Sequence, residues 1–199
     1  MVNSSVDFFA RQFDQQIATG DYGLNPFEQW TLPFLTGSVV ELGCGLGNLS
    51  LAAARKGLPV TALDACPDAV ADLARRAEAE SLKVAVRAVD LSTWRADGQW
   101  DSVVAIGLLM FFACDDARRL LTEIRSAVRP GGIAAINVLV EGTTFMGMFA
   151  PDAHCLLAPP EMREAFAGWE ILLDRIDDFP APGQTVKRFS TLIARRPGA

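Results

Sequence analysis

The sequence predicts an α/β fold in which a mostly parallel sheet of seven strands has helices on both faces and closes with an antiparallel hairpin. Three observations indicate this fold. Apolar segments of strand length alternate with segments of helical periodicity, and the 199 residues suffice for a sizeable core. The last two strand-like segments leave no room for a helix between them, so they should pair antiparallel. The alternation before them is typical of parallel strands joined by crossover helices.

The first half of the chain contributes three strands and two helices. In chain order they are expected at residues 38–42, 49–56, 59–63, 68–81 and 84–89. In the second of these helices Asp68 can act as the N-cap, since a short acidic side chain can accept a hydrogen bond from the first turn. The apolar stripe of that helix is expected to comprise Val70, Leu73, Ala74 and Ala77.

The second half supplies the rest of the sheet. A strand at 102–106 is continuously apolar and should be buried on both faces, and a helix from Asp115 ends at the turn 129–132. The last strands are expected at 133–140, 169–176 and 186–195.

An N-terminal helix is expected at 6–18, with Phe9, Phe13 and Ile17 spaced four residues apart. Residues 1–37 are interpreted as a helical lid or extension, and residues 38–199 as the main domain. Packing of this helix against the sheet edge is an equally acceptable interpretation.

The amino-acid composition argues against several classes of binding partner. The formal net charge is −6, and neither a basic face nor a long apolar segment is present, which argues against nucleic acid and membrane partners. The four cysteines show no metal-binding spacing, so we expect no metal and four buried thiols in a reducing cytoplasm. The N-terminal residues do not resemble a secretory signal. No sequence feature indicates an oligomeric state.

The densest glycine cluster is ELGCGLGNLS at residues 41–50, between the first strand and the first crossover helix. Ligands of open parallel sheets bind beyond the carboxyl ends of the strands, where this cluster lies. Gly43 and Gly45 allow the backbone to approach a ligand closely, and the next helix begins with free N–H groups. The motif alone does not distinguish a dinucleotide from another nucleoside cofactor.

Acidic residues at neighbouring strand ends distinguish a dinucleotide from another nucleoside cofactor. Asp64 ends the second strand and can accept hydrogen bonds from ribose hydroxyls, and Asp90 ends the third, where it can accept from an adenine amino group. Glu41 adds a negative group, and the glycine segment carries no Lys or Arg. Such a crevice repels a pyrophosphate and tolerates a sulfonium. The predicted cofactor site comprises Glu41, Gly43, Cys44, Gly45, Asn48, Asp64, Ala65, Asp90, Leu91 and Ile106.

The ordered motifs ELGCGLG, LDACP, AVDLS, WDSVVAIGLLMFF and VRPGG resemble those of class I S-adenosylmethionine-dependent methyltransferases, over roughly residues 22–196. The resemblance implies a Rossmann-like fold and S-adenosyl-L-methionine as cofactor. A narrower resemblance, in YGL, IGLLMFF, AFAGWE and KRFSTLIARR, is to tellurite-resistance methyltransferases. It implies a small cytoplasmic enzyme acting on tellurium or selenium oxyanions or other soft nucleophiles. The segment DDFPAPGQT departs from that pattern, because it lacks the expected His and Arg.

On the substrate side the sequence indicates four residues, which are Phe111, Phe112, His154 and Arg188. The two phenylalanines follow the fourth strand, and the lone histidine lies in a long apolar segment, residues 141–160, of the kind that often covers a substrate. No catalytic residue is assigned. Methylation of a small molecule is the leading hypothesis. A nicotinamide-dependent oxidoreductase and a non-catalytic S-adenosylmethionine-binding protein are the alternatives.

Overall fold

A seven-stranded sheet forms the centre of the computed structural model, which describes residues 4–150 and 153–198, with side chains from residue 9 onwards. The strands run in the order β3-β2-β1-β4-β5-β7-β6. The first five are parallel, and β7 is antiparallel to both β5 and β6, as the sequence predicted. Their bounds are β1 Val39–Leu42, β2 Val60–Asp64, β3 Val84–Ala88, β4 Trp100–Ile106, β5 Val128–Leu139, β6 Glu170–Ala181 and β7 Thr185–Arg195.

Six α-helices accompany the sheet in the described part of the chain. They are α1 Ser4–Thr19, α2 Pro26–Thr31, α3 Asn48–Arg55, α4 Pro67–Ala79, α5 Cys114–Ala127 and α6 Pro159–Ala165. The two that the sequence did not predict, α2 and α6, are short and begin with proline. A capping box starts α2: the Asn25 side chain accepts from the Glu28 backbone N–H, and the Glu28 carboxylate accepts from the Asn25 N–H. Such short elements carry too few residues to show a period.

The two faces of the sheet bury separate apolar cores. On one face Val103 and Ala105 of β4 pack with α5 in the larger core. On the other face Val104 packs with Leu49 and Ala53 of α3. The predicted burial of the fourth strand on both faces is therefore confirmed.

Helix α4 corrects two details of the sequence interpretation. Cys66 is its N-cap residue, and Asp68 lies in the first turn without capping it. Its buried stripe is Ala69, Asp72, Leu73 and Ala77, whereas Ala74 is exposed and Val70 half-buried. Asp72 can be buried because Arg75 and Arg76 pair with its carboxylate one turn further along the helix. The apolar pattern misled the prediction because a charged residue, Asp72, lies on the buried face of the helix.

The expectation of four thiols is wrong for two of the cysteines. Cys114, at the start of α5, and Cys155, 41 residues later, form a disulfide with a sulfur–sulfur distance of 2.09 Å. The backbone N–H of Cys155 donates to the carbonyl of Met110, which holds the segment after β5 beside the start of α5. Cys44 and Cys66 are buried free thiols, as expected. Sequence spacing cannot reveal a pairing that depends on this tertiary contact. Among the described helices, none has the length and hydropathy that crossing a membrane requires.

Candidate functional site

A cavity of about 1220 Å³ lies beyond the carboxyl ends of the parallel strands, where the sequence placed the ligand. The glycine segment forms part of its wall, and α1 and the segment after β5 form others. All ten residues predicted to hold the cofactor line this one cavity: Glu41, Gly43, Cys44, Gly45, Asn48, Asp64, Ala65, Asp90, Leu91 and Ile106. The structure thus brings together residues spread over 66 positions, from Glu41 to Ile106.

The backbone of the glycine segment is tied to the end of β2. The N–H groups of Gly43 and Cys44 both donate to the carbonyl of Leu63, at 2.8 and 3.1 Å. Gly43, Gly45 and Gly47 have φ values of 71°, 51° and 67°, a region that favours glycine. A Cβ on Gly43 would lie 2.9 Å from Cδ1 of Leu108, so side chains are excluded there by space as well as by conformation.

Asp64 holds this turn in place through both carboxylate oxygens. Its Oδ2 accepts from the Gly45 N–H at 2.7 Å and its Oδ1 from the Cys66 N–H at 2.8 Å. Burial raises the pKa of this carboxyl, while the backbone hydrogen bonds oppose the rise. Each oxygen has a second lone pair, so Asp64 can fix the turn and still accept from a ligand hydroxyl.

Glu41, near the end of β1, is a buried acid with only 4% of its surface exposed. Burial raises its pKa to about 8, with further increases from the nearby Glu28 and Asp64 carboxylates and an opposing hydrogen bond from Ser50. At neutral pH the Glu41 carboxyl is therefore mostly protonated. A cation placed beside it would favour its ionised form.

This raised pKa predicts a pH-dependent cost in stability. An unfolded glutamate titrates near 4.5, so between about pH 4.5 and 8 the folded protein holds a proton that the unfolded chain releases. Stability should fall as pH rises through that window, by up to about 1.4 kcal/mol per pH unit, the limit for one proton. Glu41→Gln should remove this slope, so the variant gains relative to the parent between pH 5 and pH 9 in urea unfolding. Glu164→Gln, on the exposed surface, is the control, and parallel pH profiles for Glu41→Gln and the parent would contradict the assignment.

The remaining predicted cofactor residues differ in their solvent exposure and in their hydrogen bonds. Asp90 is exposed at the cavity rim, and its Oδ1 accepts from the Ser92 N–H at 2.9 Å. Leu91 beside it is only 3% exposed. The amide of Asn48 is engaged within the protein, donating to the Gly23 carbonyl and accepting from Arg76 at 3.4 Å each. A contact of Asn48 with a ligand would require these long hydrogen bonds to rearrange.

The substrate-side residues divide into two pairs. Phe111 and Phe112 line the cavity, but His154 and Arg188 do not. The His154 ring stacks on Phe149, and its Nδ1 lies 3.2 Å from the Ala150 carbonyl oxygen. The Arg188 guanidinium donates to both carboxylate oxygens of Asp178, at 2.7 and 2.8 Å. The structure therefore corrects the placement of His154 and Arg188 in the substrate site.

The polar cavity residues that sequence reasoning missed include Lys187 on β7 and Asn137 on β5. Adjacent residues of a strand face opposite sides of the sheet, so only one of Lys187 and Arg188 can face the cavity. Phe189, two residues on, also lines it. That alternation is a sequence signal that could have selected Lys187, but nothing in the sequence singled out Asn137.

Comparison with known proteins finds a methyltransferase domain in this chain. Residues 39–132 match a family model described as a methyltransferase domain. The probable S-adenosyl-L-methionine-dependent methyltransferase TehB of Haemophilus influenzae is 25% identical over 170 residues, which cover 79% of this chain and 57% of that protein. A protein of Eikenella corrodens named hemagglutinin 1 is 26% identical over 171 residues, covering 80% of this chain and 54% of that protein. The chain thus spans little more than half the length of these curated relatives.

The fold agrees with that of a solved relative. The crystal structure of TehB from Haemophilus influenzae matches with a TM-score of 0.75 at 20% identity, over 87% of this chain and 62% of that one. At this identity the match shows the fold, which confirms the predicted Rossmann-like architecture. Residues 39–132 thus match a methyltransferase domain, and the chain is similar to the probable S-adenosyl-L-methionine-dependent methyltransferase TehB in sequence and in fold.

Proposed function

We propose that this protein is a methyltransferase that transfers a methyl group from S-adenosylmethionine to a small molecule. The observation that carries the proposal is that one cavity joins the glycine turn and its acids to a chamber lined by aromatic side chains. The match of residues 39–132 to a methyltransferase domain and the similarity to TehB support the same reaction. A dinucleotide-dependent oxidoreductase is disfavoured, because the glycine segment 41–50 carries no Lys or Arg and the carboxylate of Asp64 lies beside it.

The residues present fit S-adenosylmethionine. Gly43 and Gly45 carry no side chains of their own, so the amino-acid part of the cofactor could approach the backbone of the turn closely once the Leu108 and Phe13 side chains, which lie against these glycines, make room. Asp64 would hold the ribose hydroxyls, Asp90 the adenine amino group and Leu91 the face of the adenine ring. When bound, the cofactor supplies a methyl group on a sulfonium; a lone pair of the acceptor takes it, the carbon–sulfur electron pair stays on sulfur, and a proton of the acceptor leaves to water.

The chain itself would mainly align the acceptor and keep water out. Helix α1 contributes Phe9 and Phe13 to the cavity wall. The Phe9 ring meets Phe111 edge-on at 5.0 Å between centroids, and the Phe13 Cζ would be 2.9 Å from a Cβ on Gly45. These contacts support residues 1–37 as a lid over the cofactor site.

The acceptor class and the location are further parts of the proposal. The resemblance of several sequence motifs to tellurite-resistance methyltransferases supports tellurium and selenium oxyanions as one class of acceptor. Against that class, Arg188 is paired with Asp178 outside the cavity. A cytoplasmic location stays a prediction from the sequence, and the Cys114–Cys155 disulfide, a bond typical of oxidising compartments, counts against it.

Calorimetry with S-adenosylhomocysteine, the product form of the cofactor, tests the proposal. We expect saturable one-to-one binding, and no binding of NADH under the same conditions. A folded protein that fails to bind S-adenosylhomocysteine at millimolar concentration would refute the proposal. An acceptor screen that follows S-adenosylhomocysteine release, with tellurite and selenite included, would separate an enzyme from a protein that only binds the cofactor.

A further inference from the structure

The cavity that includes the glycine turn also has aromatic walls, and the space between them is called the chamber here. Phe27, Phe111, Phe145 and Phe189 all line it. The Phe27 and Phe189 rings lie 4.7 Å apart between centroids, and Phe27 is only 9% exposed. Flat rings arranged in this way offer apolar area and aromatic edges to a flat occupant. A small, strongly hydrated oxyanion would leave most of these walls uncovered.

Lys187 supplies positive charge to this chamber. It is the sole cationic side chain lining the cavity in the part of the chain that the structure describes. Its Nζ lies 4.8 Å from the centroid of the Phe145 ring, and it forms no ion pair among the described residues. Burial lowers the pKa of its ammonium group. A partly desolvated ammonium without a carboxylate partner is suited to a negatively charged ligand.

Asn137 supplies an unused hydrogen-bonding atom. The side chain is 1% exposed, its Nδ2 donates to Thr191 Oγ1 at 2.9 Å, and its Oδ1 has no partner among the described residues. Leaving such an atom unpaired in the interior costs about 1–3 kcal/mol. Because Asn137 also lines the cavity, a hydrogen-bond donor on a ligand is the natural partner of its Oδ1.

The register of the sheet places these two polar groups on one surface. Asn137 pairs with Thr191 across β5 and β7, and Thr191, Phe189 and Lys187 alternate along the same face of β7. Four residues of strand separate Thr191 from Lys187, about 13 Å between Cα atoms at about 3.3 Å per residue. Along this face of β7, Lys187 and the Asn137–Thr191 pair thus lie on either side of Phe189.

We propose that the chamber binds an aromatic carboxylate as the methyl acceptor, with its carboxylate on Lys187, its ring among the phenylalanines and a hydroxyl or amino group donating to Asn137 Oδ1. This inference rests on the proposed function, since it names the acceptor of the same site. Among the described residues four acids line the cavity, and two of them, Asp64 and Asp90, belong to the proposed cofactor site rather than to the acceptor site. Glu41 is mostly protonated at neutral pH, and Glu28 is engaged with the Asn25 backbone N–H.

A matched set of ligands tests the charge preference. Protein saturated with S-adenosylhomocysteine is titrated calorimetrically with 4-hydroxybenzoate, 4-hydroxybenzamide, 4-hydroxybenzylamine and selenite. We expect 4-hydroxybenzoate to bind at least about tenfold more tightly than the neutral amide, consistent with one charge-assisted hydrogen bond. Tighter binding of the amine or of selenite would overturn the proposal, as would the absence of carboxylate binding at millimolar concentration.

Two variants assign the preference to residues. Lys187→Met should reduce 4-hydroxybenzoate affinity to that of the amide, whereas Lys83→Met, outside the cavity, should change nothing. Asn137→Leu should weaken 4-hydroxybenzoate more than benzoate, which has no hydroxyl group to donate. Unaltered carboxylate affinity in Lys187→Met would refute the proposal. The affinity for S-adenosylhomocysteine, measured in every variant, should stay at the parent value. If the parent protein itself does not bind S-adenosylhomocysteine, the proposed function is refuted instead.

Discussion

Gly43→Ala is expected to weaken S-adenosylhomocysteine binding by at least about a hundredfold, or about 2.7 kcal/mol. The new Cβ would lie 2.9 Å from Cδ1 of Leu108, and Leu108 itself lines the cavity. Relief of that contact moves Leu108 or the turn into the space of the ligand. In addition, the residue has a φ of 71°, which costs an alanine about 1–2 kcal/mol. Calorimetry of the folded variant measures the effect.

Gly57→Ala is the matched control for this substitution. Gly57 has a φ of 86°, but a Cβ there would meet nothing within 4 Å, and the residue does not line the cavity. Both variants should therefore lose stability from backbone conformation, and only Gly43→Ala should also lose ligand affinity. Equal affinities of the two variants for S-adenosylhomocysteine would show that the turn at Gly43 is not part of the cofactor site.

Asp64→Ala is expected to lower cofactor affinity by about 1.5–3 kcal/mol, roughly 10- to 150-fold. The substitution removes the proposed acceptor of the ribose hydroxyls and also releases the N–H groups of Gly45 and Cys66. Asp64→Asn should rescue little, because its amide NH₂ would face one of these two donors. The dissociation constant for S-adenosylhomocysteine is the measurement. Asp68→Ala, on the exposed first turn of α4, is the control, and an unchanged constant in Asp64→Ala would place the ribose elsewhere.

Strands β1 to β4 were predictable because they are short, mainly apolar segments, whereas β5 begins five residues earlier and β6 ends five residues later than the sequence predicted. That the predicted cofactor residues lie together could also be predicted, for a reason of topology. Parallel strands bring their carboxyl ends to one edge, so Glu41, Asp64 and Asp90 must lie near one another whatever the loops do. Their contacts with a ligand remain a proposal, but their shared cavity follows from topology alone.

The substrate side depends on information that local sequence does not carry. Arg188 looked like the anion-binding residue, yet strand alternation and the carboxylate of Asp178 direct it away from the cavity. The cavity position of Asn137 and the bond between Cys114 and Cys155 depend on contacts over 41 or more residues. Such contacts exist only once the strands are in register.

The position of β6 at one of the two edges of the sheet has a consequence for the solution behaviour of the protein. An edge strand presents unpaired backbone groups to which another chain could add a strand. On β6 the exposed Ile176 is flanked by Arg175 and Asp177, and Pro180 further on has no N–H to donate. These residues protect a long edge against intermolecular strand addition and hence against aggregation.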